Sequence, residues 1–587
     1  MSSRIAPRWP FLVFSSLLVI AVYGWIVFGT VWEPNVAPSG GQPYNLQAEG
    51  FRRGVTNLPI SVPSGLLALA DPYDPAQNSA YRTSAAGAVG LHDLSLYEGK
   101  LYLYFGPTPA VVLFVPWLLL TGRGFPEELA VLLFCTAGFL CSVWLFHRLA
   151  RSFERTSPVL LGAGVIALGF ASGLPTLLLR PAVYEVAISC GYAFVMLALV
   201  FIERAIGQRR AWERWLALAS VAFGFAVAAR PTLLFGAPLL LVPVVAVYRR
   251  TNAGFSVKGL AAAVAPIAVV GLAVMAYNAS RFSSPFEFGS GYQLASLNVG
   301  GRAVVFSPAF VAFNLRIYFW EPVRWTLSTI LPTGIQMPPP PPGYLGAENP
   351  FGILTSMPFV LLAAVRPFLG RAQRVREQLS HGYVQICLWI VFVSTAAVLC
   401  TFGGACSRYE TEFLPALVML AVLGLLGLDD CLANTRMARA VARGFCGLLL
   451  VYSSAVGLLV GASALSPHVS IRNRDLLALL EAGRKQEAVT GFEAHVRRYP
   501  TSAASHANLG TAYFETGRLQ DAVVSYQCAL NLDPMLVEVY NNLGVTFDQL
   551  GRFSDTRRHF RRALELKPDY GDAAANLARL NKKSPPD

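Results

Sequence analysis

Hydrophobic residues in this chain gather into runs of about 17–23, the length that carries a helix across a hydrocarbon core roughly 30 Å thick. The runs lie near residues 10–32, 126–147, 158–178, 181–203, 213–229, 231–248, 258–278, 350–369, 382–402, 409–428 and 444–465. Short polar stretches rich in arginine separate them. The pattern predicts an all-α, polytopic transmembrane bundle of about 11 spans over residues 1–465. A further apolar segment, 107–121, is short, is broken by Pro107, Pro109 and Pro116, and is followed by Gly122. Counting it as a span reverses the side of everything after it. Taken instead as a juxtamembrane or re-entrant segment, it leaves the basic stretches at Arg148/Arg151/Arg155, Arg204/Arg209/Arg210, Arg249/Arg250/Lys258, Arg366/Arg371/Arg374/Arg376 and Arg436/Arg439/Arg443 on the side of Arg4 and Arg8. That is the arrangement the positive-inside rule requires. It predicts a cytoplasmic N-terminus, a C-terminus outside, and two long outer loops at 33–106 and 279–349. The second loop holds Pro338 to Pro342, a stiff polyproline spacer. The first run carries Tyr23 and Trp25 and lacks a small-x-small cleavage site, so an uncleaved first helix is expected.

Beyond the last apolar run the pattern changes. Residues 469–583 repeat with a period of 34: Gly483, Gly517 and Gly551 share one phase, and Pro500, Pro534 and Pro568 another. Asn508-Leu509-Gly510 recurs as Asn542-Leu543-Gly544, and Phe492, Tyr526 and Phe560 keep step. This spacing predicts an α-solenoid of tetratricopeptide (TPR) helix–turn–helix units. The first unit departs from the others, with Leu476 standing where they have Gly510 and Gly544, as an end cap would. Such an array presents a concave face to a protein partner; the alternative is a structural or oligomerisation tail.

Composition agrees with a membrane protein. The chain is 54% apolar and 14% charged, where soluble domains carry about 25% charge. The net charge of +13 is explained by the basic loops, so no nucleic-acid partner is inferred. Nine cysteines show no CxxC pair, and Cys135, Cys141, Cys190, Cys387, Cys400 and Cys446 lie within apolar runs as small core residues. No GxxxxGK[ST], HExxH or nucleophile elbow is present, which removes ATP-driven transport, zinc proteolysis and serine hydrolysis as simple readings. The spans show no internal repeat, which argues against a transporter.

Several charged residues gather at the outer ends of the spans: Arg180, Glu185, Arg230, Arg281, Arg408 and Glu410. Arginines on this side run against the charge bias, so they need another reason. Lining an outward cavity, they suit a phosphate, which a guanidinium grips with paired N–H donors. Snorkelling, or an ion pair such as Arg408 with Glu410, is the alternative. In the first outer loop, Asp71 and Asp74 precede prolines and read as turn formers. Asp93 is a candidate general base. His92 would orient it, contact substrate or cap a helix. Tyr97, Tyr102 and Tyr104 would stack on sugar rings or form an interfacial belt.

Taken in order, these segments resemble the GT-C superfamily of membrane glycosyltransferases, nearest to protein O-mannosyltransferases and lipid A aminoarabinose transferase. The resemblance covers residues 10–465 and rests on five stretches. They are Tyr97-Glu98-Gly99-Lys100-Leu101-Tyr102-Leu103-Tyr104-Phe105-Gly106-Pro107, Arg180-Pro181-Ala182-Val183-Tyr184-Glu185, Ala228-Ala229-Arg230-Pro231-Thr232, Tyr277-Asn278-Ala279-Ser280-Arg281-Phe282 with the Pro285–Gly289 stretch, and Ser407-Arg408-Tyr409. Multi-span proteins ending in TPR units also resemble the animal O-mannosyltransferases that act on cadherins. The resemblance implies a polyprenyl-phosphate sugar donor, an acidic base in the first outer loop, a second acidic residue matching Glu185, and arginines such as Arg230 and Arg408 on the lipid phosphate. Further substrate-binding candidates are His92, Tyr97, Lys100, Tyr102, Arg180, Arg281 and Tyr409, and some members of the superfamily bind a divalent cation. The acidic pair that relatives carry after the first span is missing here; between Gly40 and Glu49 only Glu49 is acidic. The base is therefore Asp93 or Glu49. The expected setting is a bacterial inner membrane, with the TPR domain outside the cytoplasm. The rival functions are an oligosaccharide ligase and a non-catalytic membrane-anchored TPR scaffold.

Overall fold

The structure, a computed structural model, describes residues 9–31, 42–75, 77–78, 91, 93–153, 156–208, 210–251, 256–295, 305–325, 332–348, 350–365, 375–463, 476–477, 479–480, 483–498, 502–532, 534, 536–567 and 570–583. They fall into two compact units that divide after residue 464.

In the first unit, eight helices are long and apolar enough to cross a membrane: Trp9–Gly29, Glu127–Ala150, Val183–Gly207, Pro231–Thr251, Val257–Phe282, His381–Thr401, Leu414–Cys431 and Arg436–Val460. The other three expected spans take different forms. The run 158–178 breaks into Pro158–Phe170 and Leu174–Leu179, because Gly173 adopts φ 79° and Pro175 follows. The run 213–229 forms Trp212–Ala229, with Glu213 and Arg214 in its first turn. The run 350–369 gives Ile353–Ser356 and a 3-10 turn over Pro358–Ala364. Within 107–121, the helix Ala110–Thr121 is about 18 Å long at 1.5 Å per residue, too short for a ~30 Å core.

Small residues let the helices approach closely. The first helix turns Ser15, Val19 and Tyr23 toward Pro158–Phe170, where Gly162 and Gly169 leave them room, and the Tyr23 hydroxyl donates to the Gly169 carbonyl at 2.7 Å. Gly106 makes a tighter approach: a Cβ there would stand 1.7 Å from the Ala228 carbonyl oxygen. Phe105-Gly106-Pro107 therefore lies directly on Ala228-Ala229-Arg230, secured by the Thr108 hydroxyl donating to Phe225 O at 2.9 Å.

The helix Val183–Gly207 runs between two chemically different ends. Near its C-terminus Glu203 accepts from Arg148 at 2.9 Å, the Arg204 guanidinium lies 4.9 Å from the Trp144 ring, and Arg250 donates to Ile206 O at 2.8 Å. The Trp9 ring, 4.6 Å from His147, puts the start of the first helix at this end. Glu185 stands at the other end, about 27 Å away along the helix axis at 1.5 Å per residue.

Among its described residues the unit is mostly helical, with three two-stranded sheets that the all-α expectation did not include. Leu94–Tyr97 pairs antiparallel with Lys100–Leu103, turning at Glu98 (φ 47°) and Gly99 (φ 70°). Two consecutive left-handed residues are what a tight hairpin needs. Val323–Trp325 pairs antiparallel with Pro332–Ile335, and Gly346–Glu348 pairs parallel with Gly404–Cys406.

The second unit is the helical array expected from the 34-residue period. Its helices are Lys485–Arg498, Ala503–Glu515, Leu519–Leu532, Val537–Gln549, Phe553–Leu566 and Gly571–Lys583. Gly483, Gly517 and Gly551 take φ values of 75°, 77° and 71° at the turns. A Cβ on Gly510 or Gly544 would stand 2.6 Å from the ring of Tyr526 or Phe560. The irregular first repeat has a physical account: Leu476 fills the glycine position, and the facing helix supplies Gly491, whose added Cβ would lie 2.3 Å from Leu476 Cδ2. The small partner has moved to the other helix.

Candidate functional site

Five separated segments of the first unit meet at the end that holds Glu185. They carry Asp93, Arg180 to Glu185, Arg230, Glu348, and Arg408 to Glu412.

Arg408 is the centre. It begins the short helix Ser407–Glu410, which follows the strand Gly404–Cys406. Its guanidinium lies 4.5 Å from the Tyr184 ring centroid and 5.5 Å from that of Tyr409. Its Nη1 donates to Glu348 Oε2 at 2.7 Å, and its Nε stands 3.9 Å from Glu185 Oε1. Arg180 donates to the other oxygen of Glu348. Glu185 is 1% exposed and Arg408 8% exposed, so these charges are largely removed from water. Glu185 Oε2, Arg180 Nε and Arg408 Nε are buried without hydrogen-bond partners. Unsatisfied buried groups of this kind are uncommon and call for a physical reason.

Asp93 joins the cluster beside Tyr184, close enough for its carboxylate to act on the phenol. Asp93 has φ 64°, and its Oδ1 accepts from Gln293 Nε2 at 2.8 Å. Backbone hydrogen bonds from Asp93 N to Leu294 O at 3.0 Å and from Leu294 N to Leu94 O at 2.8 Å tie the two long loops together here. The carboxylate is thus oriented by the Gln293 amide, with the Tyr184 phenol nearby.

Arg230, which follows the helix Trp212–Ala229, donates through Nε to Glu412 Oε1 at 2.8 Å, and Thr232 donates to Oε2 at 3.0 Å. Its guanidinium lies 5.5 Å from the Tyr409 ring. Glu412 satisfies Arg230, whereas Nε of Arg180, of Arg408 and of Arg281 lacks an acceptor. Glu410, the alternative partner for Arg408, instead accepts the Phe351 N–H at 2.8 Å, and burial pushes its carboxyl well above the usual range.

Arg281, Tyr97 and Tyr102 form a second group. Arg281 Nη1 donates to Leu103 O and its Nη2 to Asn278 Oδ1, both at 2.6 Å, with the Tyr277 ring 4.0 Å away. The Phe282 ring contacts Tyr102 at 5.3 Å and Tyr97 at 5.7 Å. This is a packed aromatic cage joining the hairpin to the helix Val257–Phe282. Lys100 is exposed at the hairpin turn, opposite Tyr97 in register. Glu49 lies on the helix Pro43–Arg52, where hydrogen bonds from Arg52 and Arg53 hold its carboxyl down to about 2, a weak base. His92 lies outside the described residues.

Glu348, Glu412, Tyr184 and Gln293 are the members that sequence reasoning missed. Glu412 was visible only as one of several charges after Arg408. Glu348 gave no local signal. Among the described residues, no group of three or more His, Cys, Asp or Glu is placed to hold a metal ion. The acidic residues that meet here, Glu185 and Glu348, share Arg408, whose charge repels a cation, so they do not fit a divalent metal.

Comparison with known proteins speaks to the second unit. A TPR-repeat family model matches residues 510–551 and a tetratricopeptide-repeat model matches residues 537–570, so the chain carries C-terminal TPR repeats. The chain is similar to the Arabidopsis OM64 TPR domain (22% identity over 20% of this chain and 97% of that one, TM-score 0.19). It is also similar to the second TPR domain of human RPAP3, solved with an HSP70 peptide (19% identity, 20% and 98% coverage, TM-score 0.19). A third similar structure is the Sgt2 TPR domain of Aspergillus fumigatus (14% identity, 20% and 79% coverage, TM-score 0.19). No curated protein matches the chain.

Proposed function

We propose that this chain is a membrane glycosyltransferase that moves a sugar from a polyprenyl-phosphate donor to an acceptor hydroxyl on the outer face of the membrane. The observation that carries the reading is the meeting of Asp93, Tyr184, Arg408, Glu185 and Arg180 at one end of a bundle of apolar helices. The acceptor hydroxyl gives its proton to Asp93, and its oxygen bonds to the anomeric carbon as the bond from that carbon to the phosphate oxygen breaks. Arg408 and Arg180 stabilise the charge that develops on the departing lipid phosphate. Glu185 orients the acceptor or holds Arg408. The reading takes the arginine-rich end near Glu203 as cytoplasmic, with this cluster and the TPR repeats on the outer side. The TPR repeats would bind a protein acceptor or partner along their concave face.

A second reading is a membrane-anchored TPR scaffold. It is favoured by the family matches, which fall within the repeats, and by the internal pairing of Arg230 with Glu412. The deciding experiment is sugar release from labelled polyprenyl-phosphate donors, with acceptor-containing extract, in membranes carrying the parent chain or Asp93→Asn. Release that the substitution abolishes supports the transferase with Asp93 as base. Release by both keeps the transferase and moves the base. Release by neither across the common donors favours the scaffold, as does a cell phenotype lost on deleting residues 469–583 but kept in Asp93→Asn.

A further inference from the structure

Glu348 occupies the position where an anionic ligand of this cluster belongs. Its two oxygens are divided between two guanidiniums, Arg180 on one side and Arg408 on the other. The arginine side chains are only 20% and 10% exposed, while Glu348 retains 38% of its exposure. A carboxylate reaching in from a loop thus covers two inward-facing cations. The fit is incomplete, since Nε of both arginines lacks an acceptor. A carboxylate offers two oxygens in one plane. A phosphate offers a tetrahedral set that can serve both guanidinium forks. Glu348 is also lightly held from the backbone. Its strand is three residues long, in a two-stranded sheet of its own, and such pairings are marginal in isolation.

The charges suit an exchange. Arg180 and Arg408 are balanced by Glu185 and Glu348 once Asp93, the further carboxylate beside Tyr184, has taken the acceptor's proton. Replacing Glu348 with a phosphodiester, which carries one negative charge, keeps that balance. Cleavage of the diester leaves a phosphate monoester, with a charge of about −1.5 to −2. The product overloads the site, and returning Glu348 restores neutrality.

We propose that Glu348 is a built-in anion that holds the phosphate position between Arg180 and Arg408 until a lipid phosphodiester displaces it, and that it returns to expel the monoester product. This rests on the reading above that the cluster receives a lipid phosphate. The test is binding of geranyl methyl phosphate, a short isoprenyl phosphodiester, to the full-length protein in nanodiscs by calorimetry. If the Glu348-bound arrangement is populated tenfold over the open one, Glu348→Gln binds about tenfold more tightly than the parent, because the competing state is removed. Arg408→Gln is expected to lose binding. Glu348→Gln with equal or weaker affinity, alongside binding that depends on Arg408, overturns the displacement while leaving the phosphate reading standing. Binding by neither parent nor Glu348→Gln overturns both. Should Glu348→Gln fail to fold, Glu348→Asp keeps the charge but is one methylene too short to bridge both arginines. It is also expected to bind more tightly, and an unchanged affinity there defeats the proposal.

Discussion

Arg230 and Glu412, 182 residues apart in the chain, form a buried ion pair whose second carboxylate oxygen accepts from Thr232. The pair joins the turn before Pro231 to the turn before Leu414, and so fixes the mutual position of two apolar helices. With side-chain exposures of 13% and 3%, neither charge has water to fall back on. Glu412→Gln should leave the guanidinium buried without a counter-charge, at a cost of about 3 kcal/mol or more. The double substitution Arg230→Gln with Glu412→Gln removes both charges and should recover part of that loss. Thermal unfolding of the detergent-solubilised chain measures both. A Glu412→Gln protein as stable as the parent would show that the pair contributes nothing to the fold.

Asp93 is the first candidate for the base and Glu49 the second, and their surroundings differ. Glu49 is taken up by Arg52 and Arg53, whereas Asp93 is oriented by Gln293. In the sugar-release assay, Asp93→Asn should lower turnover by roughly 10²-fold or more, the usual contribution of a positioned base. Glu49→Gln should stay close to the parent, and Gln293→Leu should fall between them. The reverse order, with Glu49→Gln inactive and Asp93→Asn active, would place the chemistry at the helix Pro43–Arg52 instead.

What the sequence made legible follows from the range of each interaction. The TPR repeats rest on local contacts at a fixed period, so Gly510, Gly544, Tyr526 and Phe560 were readable by phase alone. Arg180, Glu185, Arg230 and Arg408 were readable as charges at the ends of apolar runs, where charge is costly. Their partners were not. Glu348 reaches Arg180 from 168 residues away, and Gln293 reaches Asp93 from 200. Residue type and spacing carry no record of such pairings. The hairpin at Glu98-Gly99 was missed for another reason: strands of four residues were masked by the search for apolar runs. The break at Gly173 was visible as a Gly and a Pro two residues apart, yet the high hydrophobicity of 158–178 concealed it.

The first TPR repeat should respond to substitution at the exchanged glycine. Gly491→Ala brings a methyl against Leu476 Cδ2, which must turn aside within the buried repeat. Overpacking of this kind costs about 1–3 kcal/mol. Pairing it with Leu476→Ala frees that space and should restore part of the stability, which the single substitutions do not do. Urea unfolding followed by circular dichroism on the full-length chain, with limited proteolysis to report on the repeats, provides the measurement. Equal loss in Gly491→Ala and in the double variant would mean that Leu476 is not the neighbour that matters.

Glu410 gives the chain a pH dependence with a definite sign. Its side chain is fully buried, one oxygen accepts the Phe351 N–H, and burial raises its carboxyl well above the ordinary range. In the unfolded chain a glutamate titrates near 4.3. Between that value and the raised folded one, the folded protein keeps a proton that the unfolded protein has lost. Folding then takes up a proton, so this residue makes stability fall as pH rises above about 4.3, until the folded carboxyl itself ionises. Glu410→Gln keeps the acceptor oxygen and removes the titration. Its melting temperature should therefore fall less than the parent's between pH 5 and pH 8. Parallel curves for the two proteins would mean that Glu410 is already ionised in the folded chain, held by a partner other than Phe351.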